Sequence, residues 1–334
     1  MNLRNDHTAT SGASGDGLGD PGAPARHGAH VTDPSMSSVT GWKPHTVSTS
    51  EVVDHGPVAA LGALLDSSLP IPEVGDPLPA LWHWVALPQW ASSSSLGHDG
   101  HPVRGEFLPS VDLPRRMFAG GEVVVHRPLV VGEEVRREAR VASVEEKTGR
   151  SGRFVVVSVE TSLRGSDGEL RVEERQDIVF REARAPSADM PAPGPVAAMM
   201  PVGPPLNRSA PGRWDVLTDP TMLMRFSAAS ANAHRIHYDW PYATRVEGYP
   251  GLVVQGPLTV MLLGETMREV AALPERVRLR HRNWAPLFCG DPATILHTVD
   301  GNAVTASLER GNHHHGVVCT SLTRLPQEKG TSHA

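Results

Sequence analysis

Only two cysteines, Cys289 and Cys319, occur in 334 residues. So few thiols exclude a disulfide framework and point to a reducing cytoplasm. No run approaches the ~18 uninterrupted apolar residues of a transmembrane helix, so none is expected. The first residues, MNLRNDHTATSGASGDG, lack the apolar stretch of a secretory signal. Positive charge is not in excess either: 31 Lys and Arg stand against 37 Asp and Glu, for a net charge of −6. That balance excludes a broad basic surface for nucleic acid or anionic lipid. Apolar residues are also scarce, at 39%, where a globular domain averages roughly 45–50%. Part of the chain therefore does not belong to a folded core.

Glycine and proline are plentiful, at 32 and 30, which excludes an all-helical bundle and a coiled coil. Residues 1–45 are Gly, Ser, Ala, Pro, Asp and His with few strongly apolar side chains, and are expected to be a disordered tail. Met36, close to the end of this tail, is a candidate translation start. A second break at 183–212 holds eight prolines in thirty residues and predicts an extended, semi-rigid linker. The expected organisation is an N-terminal unit at 46–182, the linker at 183–212, a C-terminal unit at 213–326 and a short tail at 327–334.

The first unit opens with a helical stretch, EVVDHGPVAALGALLDSS, and a Trp-rich segment, LWHWVALPQW. Strand-like runs follow at 122–131, 134–146, 153–165 and 169–182, separated by Gly, Asp and Ser as in antiparallel hairpins. The second unit has PLTVMLLGETMREVAA, whose Pro257 suits a first helical position. Apolar side chains cover most of that helix, which places it within the concave face of a sheet. Strand-like runs recur at 276–284, 292–300, 303–311 and 316–325. The units also echo each other: HRPLVVGEEV (126–135) and WAPLFCGDPA (284–293) share Pro-Leu-x-x-Gly-acid between the first and second strands. Repeated order and repeated motif predict a tandem duplication. The fold class is α+β, a double hot dog of two curved antiparallel sheets, each wrapped around a helix.

Chemistry concentrates in FSAASANAHRIHYDWPYATRVEGYPGLVVQGP, residues 226–257. His234, Arg235, His237, Tyr238, Asp239, Arg245 and Glu247 fall directly before a buried helix, and buried polar groups are costly unless paired. The residues alone leave two readings open, a reaction centre or structural histidines on a loop.

This segment resembles the MaoC-like (R)-hydratase family. Within it, the chain is most similar to the branch of type-2 hydroxyacyl-thioester dehydratases and of mesaconyl-C4-CoA or itaconyl-CoA hydratases. LPRRMFAGGEVVVHRPLVVGEEVRREARVASVEEKTGRSG resembles the dehydratase-like N-terminal half of those proteins. The resemblance covers roughly residues 42–325. It implies a double hot dog and reversible hydration of an enoyl thioester of CoA or acyl carrier protein. Carried over, the family signature makes His237 the acid-base residue and puts Asn232 five positions before it. The wider family has Asp there, so proton transfer falls to His237 alone, while the Asn232 amide can still hold the water. An imidazole near its ordinary pKa suits that transfer. Gly256 N–H, at a helix N-terminus, is the candidate donor to the developing enolate oxygen. Gln255 departs from the relatives, many of which resemble VVHGP at this point.

Arg235, Tyr238, Arg280 and Arg282 are candidate substrate-binding residues. For Arg235 an ion pair with Asp239 or Glu247 competes with that role, and for Arg280 and Arg282 a solvated strand face does. No metal or cofactor is expected. His313, His314 and His315 alternate sides on a strand, and His234 with His237 lacks a third zinc ligand at a recognisable spacing. Trp82, Trp84 and Trp90 are either core or an acyl-chain wall. The expected partner is a small acyl-CoA, with no nucleic acid or membrane, bound by a monomer or homodimer in the cytoplasm. A C5-dicarboxylyl-CoA is the favoured substrate and a (3R)-hydroxyacyl thioester of fatty-acid metabolism the alternative. A hot dog thioesterase and a non-catalytic thioester-binding module are the other classes considered.

Overall fold

The computed structural model describes residues 41–149, 152–183, 203–270, 275–301 and 303–310, and the backbone of 313–324. The expected tail 1–45 lies almost wholly outside the described residues, as do most of the 183–212 linker, the 327–334 tail and the side chains of His313, His314, His315 and Cys319.

The chain opens with strand β1 (Thr46–Val52) and helix α1 (His55–Leu65). Glu51 and Val52, read from sequence as helical, end β1 instead. Asp54 stops the strand and caps α1, its carboxylate accepting from Gly56 N at 2.9 Å. After a single short helical turn, α2 (His83–Ala86), come four long strands: β2 (Arg115–Val125), β3 (Glu134–Gly149), β4 (Gly152–Gly165) and β5 (Leu170–Arg181). The second unit repeats the plan with β6 (Leu206–Ala210), β7 (Arg213–Val216), α3 (Pro220–Ala229) and α4 (Gly256–Val270). Strands β8 (Val277–Asn283), β9 (Ala293–Asp300), β10 (Ala303–Arg310) and β11 (His313–Arg324) complete it. Residues 206–210, expected in the linker, are therefore part of the sheet, paired with β7. Helix α3 was not foreseen. Its start is nonetheless well marked, with Pro220 at the first position and the Asp219 carboxylate accepting from Thr221 N and Met222 N.

All eleven strands form one antiparallel sheet in the order β1-β3-β4-β5-β2-β8-β11-β10-β9-β7-β6. The two curved sheets expected from sequence are its halves, joined where β2 pairs with β8 from Gly120–Arg282 to Val125–Val277. The glycines of FAGGEVVV make this seam possible. A Cβ on Gly121 would collide with Arg175 O, and one on Gly120 would lie 2.7 Å from His281 O. That pair reads locally as a loop, so β2 starts seven residues earlier than its sequence pattern suggests.

Helix α4 is buried over most of its length and packs on β10, β11 and β2. In the first half the eleven-residue α1 corresponds in order to α3, and where α4 follows in the second half the described residues have only the single turn of α2. The main core runs through α1, α4, residues 81–87 and the central strands. A smaller one gathers Trp42, Val111, Leu113, Val155, Val157 and Phe180 at the outer end of the first half. No helix among the described residues is long and apolar enough to cross a membrane.

Candidate active site

Between α3 and α4 the chain makes a long excursion, residues 230–255. It leaves α3 through Ala231, whose φ of +53° is a left-handed conformation usually given to glycine. Asn232 N bonds back to Ser227 O at 2.9 Å, and Asn232 Oδ1 accepts from His234 N at 3.1 Å. The tight turn at 235–237 then delivers His237. Its backbone neighbour Ile236 accepts from Val253 N at 3.0 Å, and Val254 N bonds Leu287 O at 2.9 Å, so the segment is anchored just before α4.

His237 Nδ1 lies 2.7 Å from Val253 O. A carbonyl only accepts, so Nδ1 carries the proton and Nε2 keeps its lone pair. No described residue takes that lone pair. Burial pushes the imidazole down to about 4, against a smaller upward pull from the Val253 carbonyl. His237 is therefore neutral at pH 7 with a large margin, not close to its usual value as the sequence suggests. His234 is pushed down to about 2 by burial and then by His237, Arg116 and Arg104. Burial likewise holds His101 well below the usual range. The ring centroids of His101 and His234 are 4.4 Å apart, and those of His234 and His237 are 5.5 Å apart.

A cavity of about 840 Å³ opens against this cluster, and Asn232, His237 and Gly256 all line it. Gly256 N–H, in the first turn of α4, has no acceptor among the described residues and lies where the helix dipole favours negative charge. A Cβ at Gly256 would be 2.7 Å from Asn283 Nδ2 and 2.8 Å from Phe118 Cδ1. Only glycine fits there. Asn283 Nδ2 donates to Phe118 O at 3.0 Å, leaving the buried Asn283 Oδ1 without a partner among the described residues.

The cavity continues over the concave face of the first half, past Val159, Thr161, Glu174, Gln176 and Ile178. A polar knot lies on this floor. Glu174 receives Trp84 Nε1 at 2.7 Å and Gln176 Nε2 at 2.5 Å, and pairs with His83 Nε2 at 3.2 Å. Of the tryptophans considered for a wall, Trp84 lines the cavity. Trp82 is core, and Trp90 is exposed.

The four candidate substrate-binding residues are not brought to the cavity. Arg235 is held by Asp239 at 2.7 and 2.9 Å, donates to His98 O, and lies over the Tyr242 ring. Tyr238 is exposed and its hydroxyl donates to Ala233 O. Arg280 and Arg282 alternate with the inward residues Leu279, His281 and Asn283 and so take the outer face of β8, where Arg280 pairs with Glu122 at 2.6 Å. Gln255 is fully buried and donates to Leu223 O at 2.7 Å and Ser227 Oγ at 2.9 Å, tying the start of α4 to α3. Sequence reasoning missed His101, Arg116, Phe118 and Asn283 in the wall. The double glycine beside Phe118 was the available signal, since it marks where two backbones meet.

Residues 81–289 match the family described as hydroxyacyl-thioester dehydratase type 2. The chain belongs to this family. It is 41% identical over 270 residues to the mesaconyl-C(4)-CoA hydratase of Chloroflexus aurantiacus, covering 81% of this chain and 92% of that one. Among solved structures, HtdX of Mycobacterium tuberculosis superposes with a TM-score of 0.58 at 15% identity, over 84% of this chain and all of that one. A second protein from that organism, described as having a double hot dog fold, gives 0.50 at 14% identity, over 85% of this chain and 96% of that one. These likenesses show the fold, and the double hot dog read from sequence holds.

Proposed function

We propose that the chain reversibly adds water across the double bond of an enoyl-CoA, with a C5-dicarboxylyl thioester such as mesaconyl-C4-CoA as substrate. The observation that carries this reading is the fixed tautomer of His237, which turns a bare Nε2 toward a cavity shared with the free N–H of Gly256. In hydration, Nε2 removes a proton from water as its oxygen bonds to the β carbon. Negative charge moves to the thioester oxygen, where Gly256 N–H and the α4 dipole hold it. The proton returns from His237 to the α carbon. Dehydration runs the same steps backwards. Asn232 Oδ1 is committed to His234 N, so its Nδ2 is the group left to orient the water.

The substrate choice rests on the 41% identical relative and its printed activity. A (3R)-hydroxyacyl-thioester dehydratase is the second reading, favoured by the family's description and by a cavity that extends well beyond His237. A thioesterase fits less well, because Asn232 stands where a carboxylate would be needed to activate water. No cofactor enters the scheme. The cytoplasm is the proposed location, on the cysteine content, with a monomer or homodimer as the working form.

The test is hydration of mesaconyl-C4-CoA, followed as loss of the enoyl-thioester absorbance. His237→Ala should lower kcat by roughly 10²–10⁴. Wild-type turnover in that variant would sink the mechanism.

A further inference from the structure

Four arginines line the cavity. Arg115 pairs with Glu247 at 3.4 Å and lies over the Tyr249 ring. Arg137 holds Glu51 at 2.8 Å and Leu87 O at 3.0 Å. Arg181 covers the Phe154 ring and has further partners. Arg116 differs from all three. Its guanidinium makes no hydrogen bond and no ion pair with any described residue.

No anion of the described residues is bonded to it. The Asp99 carboxylate acts on it only through space and is itself bound to His101 N at 3.0 Å. The other charged neighbour, Arg104, has the same sign and is held by the carbonyls of Val111 and Leu113. Burial lowers the Arg116 pKa to about 10, so the group is still a cation at neutral pH. A half-buried guanidinium with no bonded counter-ion keeps its donors free for a ligand, and their planar fork matches a carboxylate.

The position is specific too. Arg116 and Phe118 lie two residues apart on one side of β2, about 7 Å along the strand. Phe118 touches Gly256. On its other side Arg116 depresses His101 and His234, and the His234 ring stands 5.5 Å from that of His237. Arg116, Phe118, His237 and Gly256 line one cavity, so the guanidinium shares a chamber with the reacting carbons.

We infer that Arg116 binds the free carboxylate of the acyl group and sets the preference for a dicarboxylyl-CoA. The inference rests on the hydratase reading above. With the thioester oxygen on Gly256 N–H, a four-carbon acyl chain carries its far carboxylate toward Arg116. The structure puts a permanent cation there, so the site is completed by an anionic acyl group and left with an unpaired charge by a neutral one.

The experiment compares kcat/KM for mesaconyl-C4-CoA with kcat/KM for crotonyl-CoA, which lacks the second carboxylate. Wild-type enzyme should favour the dicarboxylyl thioester. Arg116→Met should collapse that ratio by about 100-fold, the scale of losing one partner of a buried hydrogen-bonded charge pair. Arg116→Lys should restore part of it. The ratio is taken within one sample, so a partly misfolded variant does not imitate the effect. Equal losses on both thioesters would overturn the inference and assign Arg116 to a phosphate of CoA or to folding, and an unchanged ratio would also overturn it. Wild-type preference for crotonyl-CoA would defeat the dicarboxylate reading itself, before any variant is made.

Discussion

Strands β2–β5 and β8–β11 are laid out alike, and in each set the Pro-Leu-x-x-Gly-acid turn makes the same contact. Pro77 bridges Val130 in the first half, and Val253 bridges Phe288 in the second. Gly132 and Gly290 both take positive φ in that turn, at +94° and +82°. Counting from the shared bridge, Ala80 of the first half stands where Gly256 stands in the second. What surrounds the two positions differs. In the second half Gly256 opens a fifteen-residue helix and follows the long excursion that carries Asn232 and His237. In the first half only residues 66–76 separate α1 from the bridge, and the helix after it lasts one turn. One copy is filled by its helix and armed with polar residues. The other is left hollow, and the cavity spreads over its floor. Under the proposed mechanism the two halves divide the work: one holds the reacting groups, and the other provides room.

The largest effect that tests this division comes from exchanging the two equivalent residues. Gly256→Ala forces a methyl against Asn283 and Phe118, displacing the N–H that is to meet the thioester oxygen. A shift on the ~1 Å scale costs about 100-fold in rate, so hydratase activity should fall by that factor. Ala80→Gly should leave turnover near wild type and cost at most about 1 kcal/mol of stability. Similar activity losses at both sites would break the comparison.

How much of this asymmetry sequence could show follows from how local each signal is. The repeat was legible because a turn is encoded by a few adjacent residues. That Asn232, His237 and Gly256 share one cavity wall was legible because they lie close together in sequence. The hollow half was not, because a helix reduced to one turn leaves no positive pattern, and LWHWVALPQW merely looks apolar. The far wall was hidden for another reason. Arg116 and Phe118 lie just before the stretch of β2 that pairs with β8, a contact between residues more than 150 positions apart. For Arg280 and Arg282 the solvated strand face weighed from sequence is the one found. Alternation told them apart from His281 and Asn283, but nothing in RLRHRNW said which face looked inward.

Truncating a side chain in each interior measures how filled it is. Leu262 is fully buried in α4, and Leu262→Ala should cost 2–5 kcal/mol, about the usual range for a cavity opened in a packed core. Val159 lies where the smaller core meets the cavity, so Val159→Ala should cost little beyond the transfer term of its two methyl groups, about 1.5 kcal/mol. Denaturant midpoints at constant m give both values. Equal costs would mean that the first half is packed after all.

The smallest effect concerns pH. Among the described residues, four histidines with strongly lowered pKa belong to the second half: His234, His237, His281 and His297. The first half contributes His101. Each is neutral when folded but titrates near 6.5 once unfolded. Below pH 6.5 the unfolded chain therefore binds more protons, and stability falls as pH drops from 6.5 through the folded values, about 4 for His237, His281 and His297. His281 isolates one such contribution. Its ring stacks on Phe118 at 5.2 Å and meets Trp84 edge-on at 5.6 Å, and both nitrogens are buried without a partner. Burial pushes it down to about 4, with Glu174 and Asp177 pulling the other way. His83, on the other side of the seam, has Glu174 at 3.2 Å. His281→Phe keeps the stacking and removes the titration. The loss of stability between pH 6.5 and 5 should then shrink by up to about 2 kcal/mol. Thermal melts at the two pH values read the difference directly, and an unchanged loss would show that His281 finds a proton acceptor in solution.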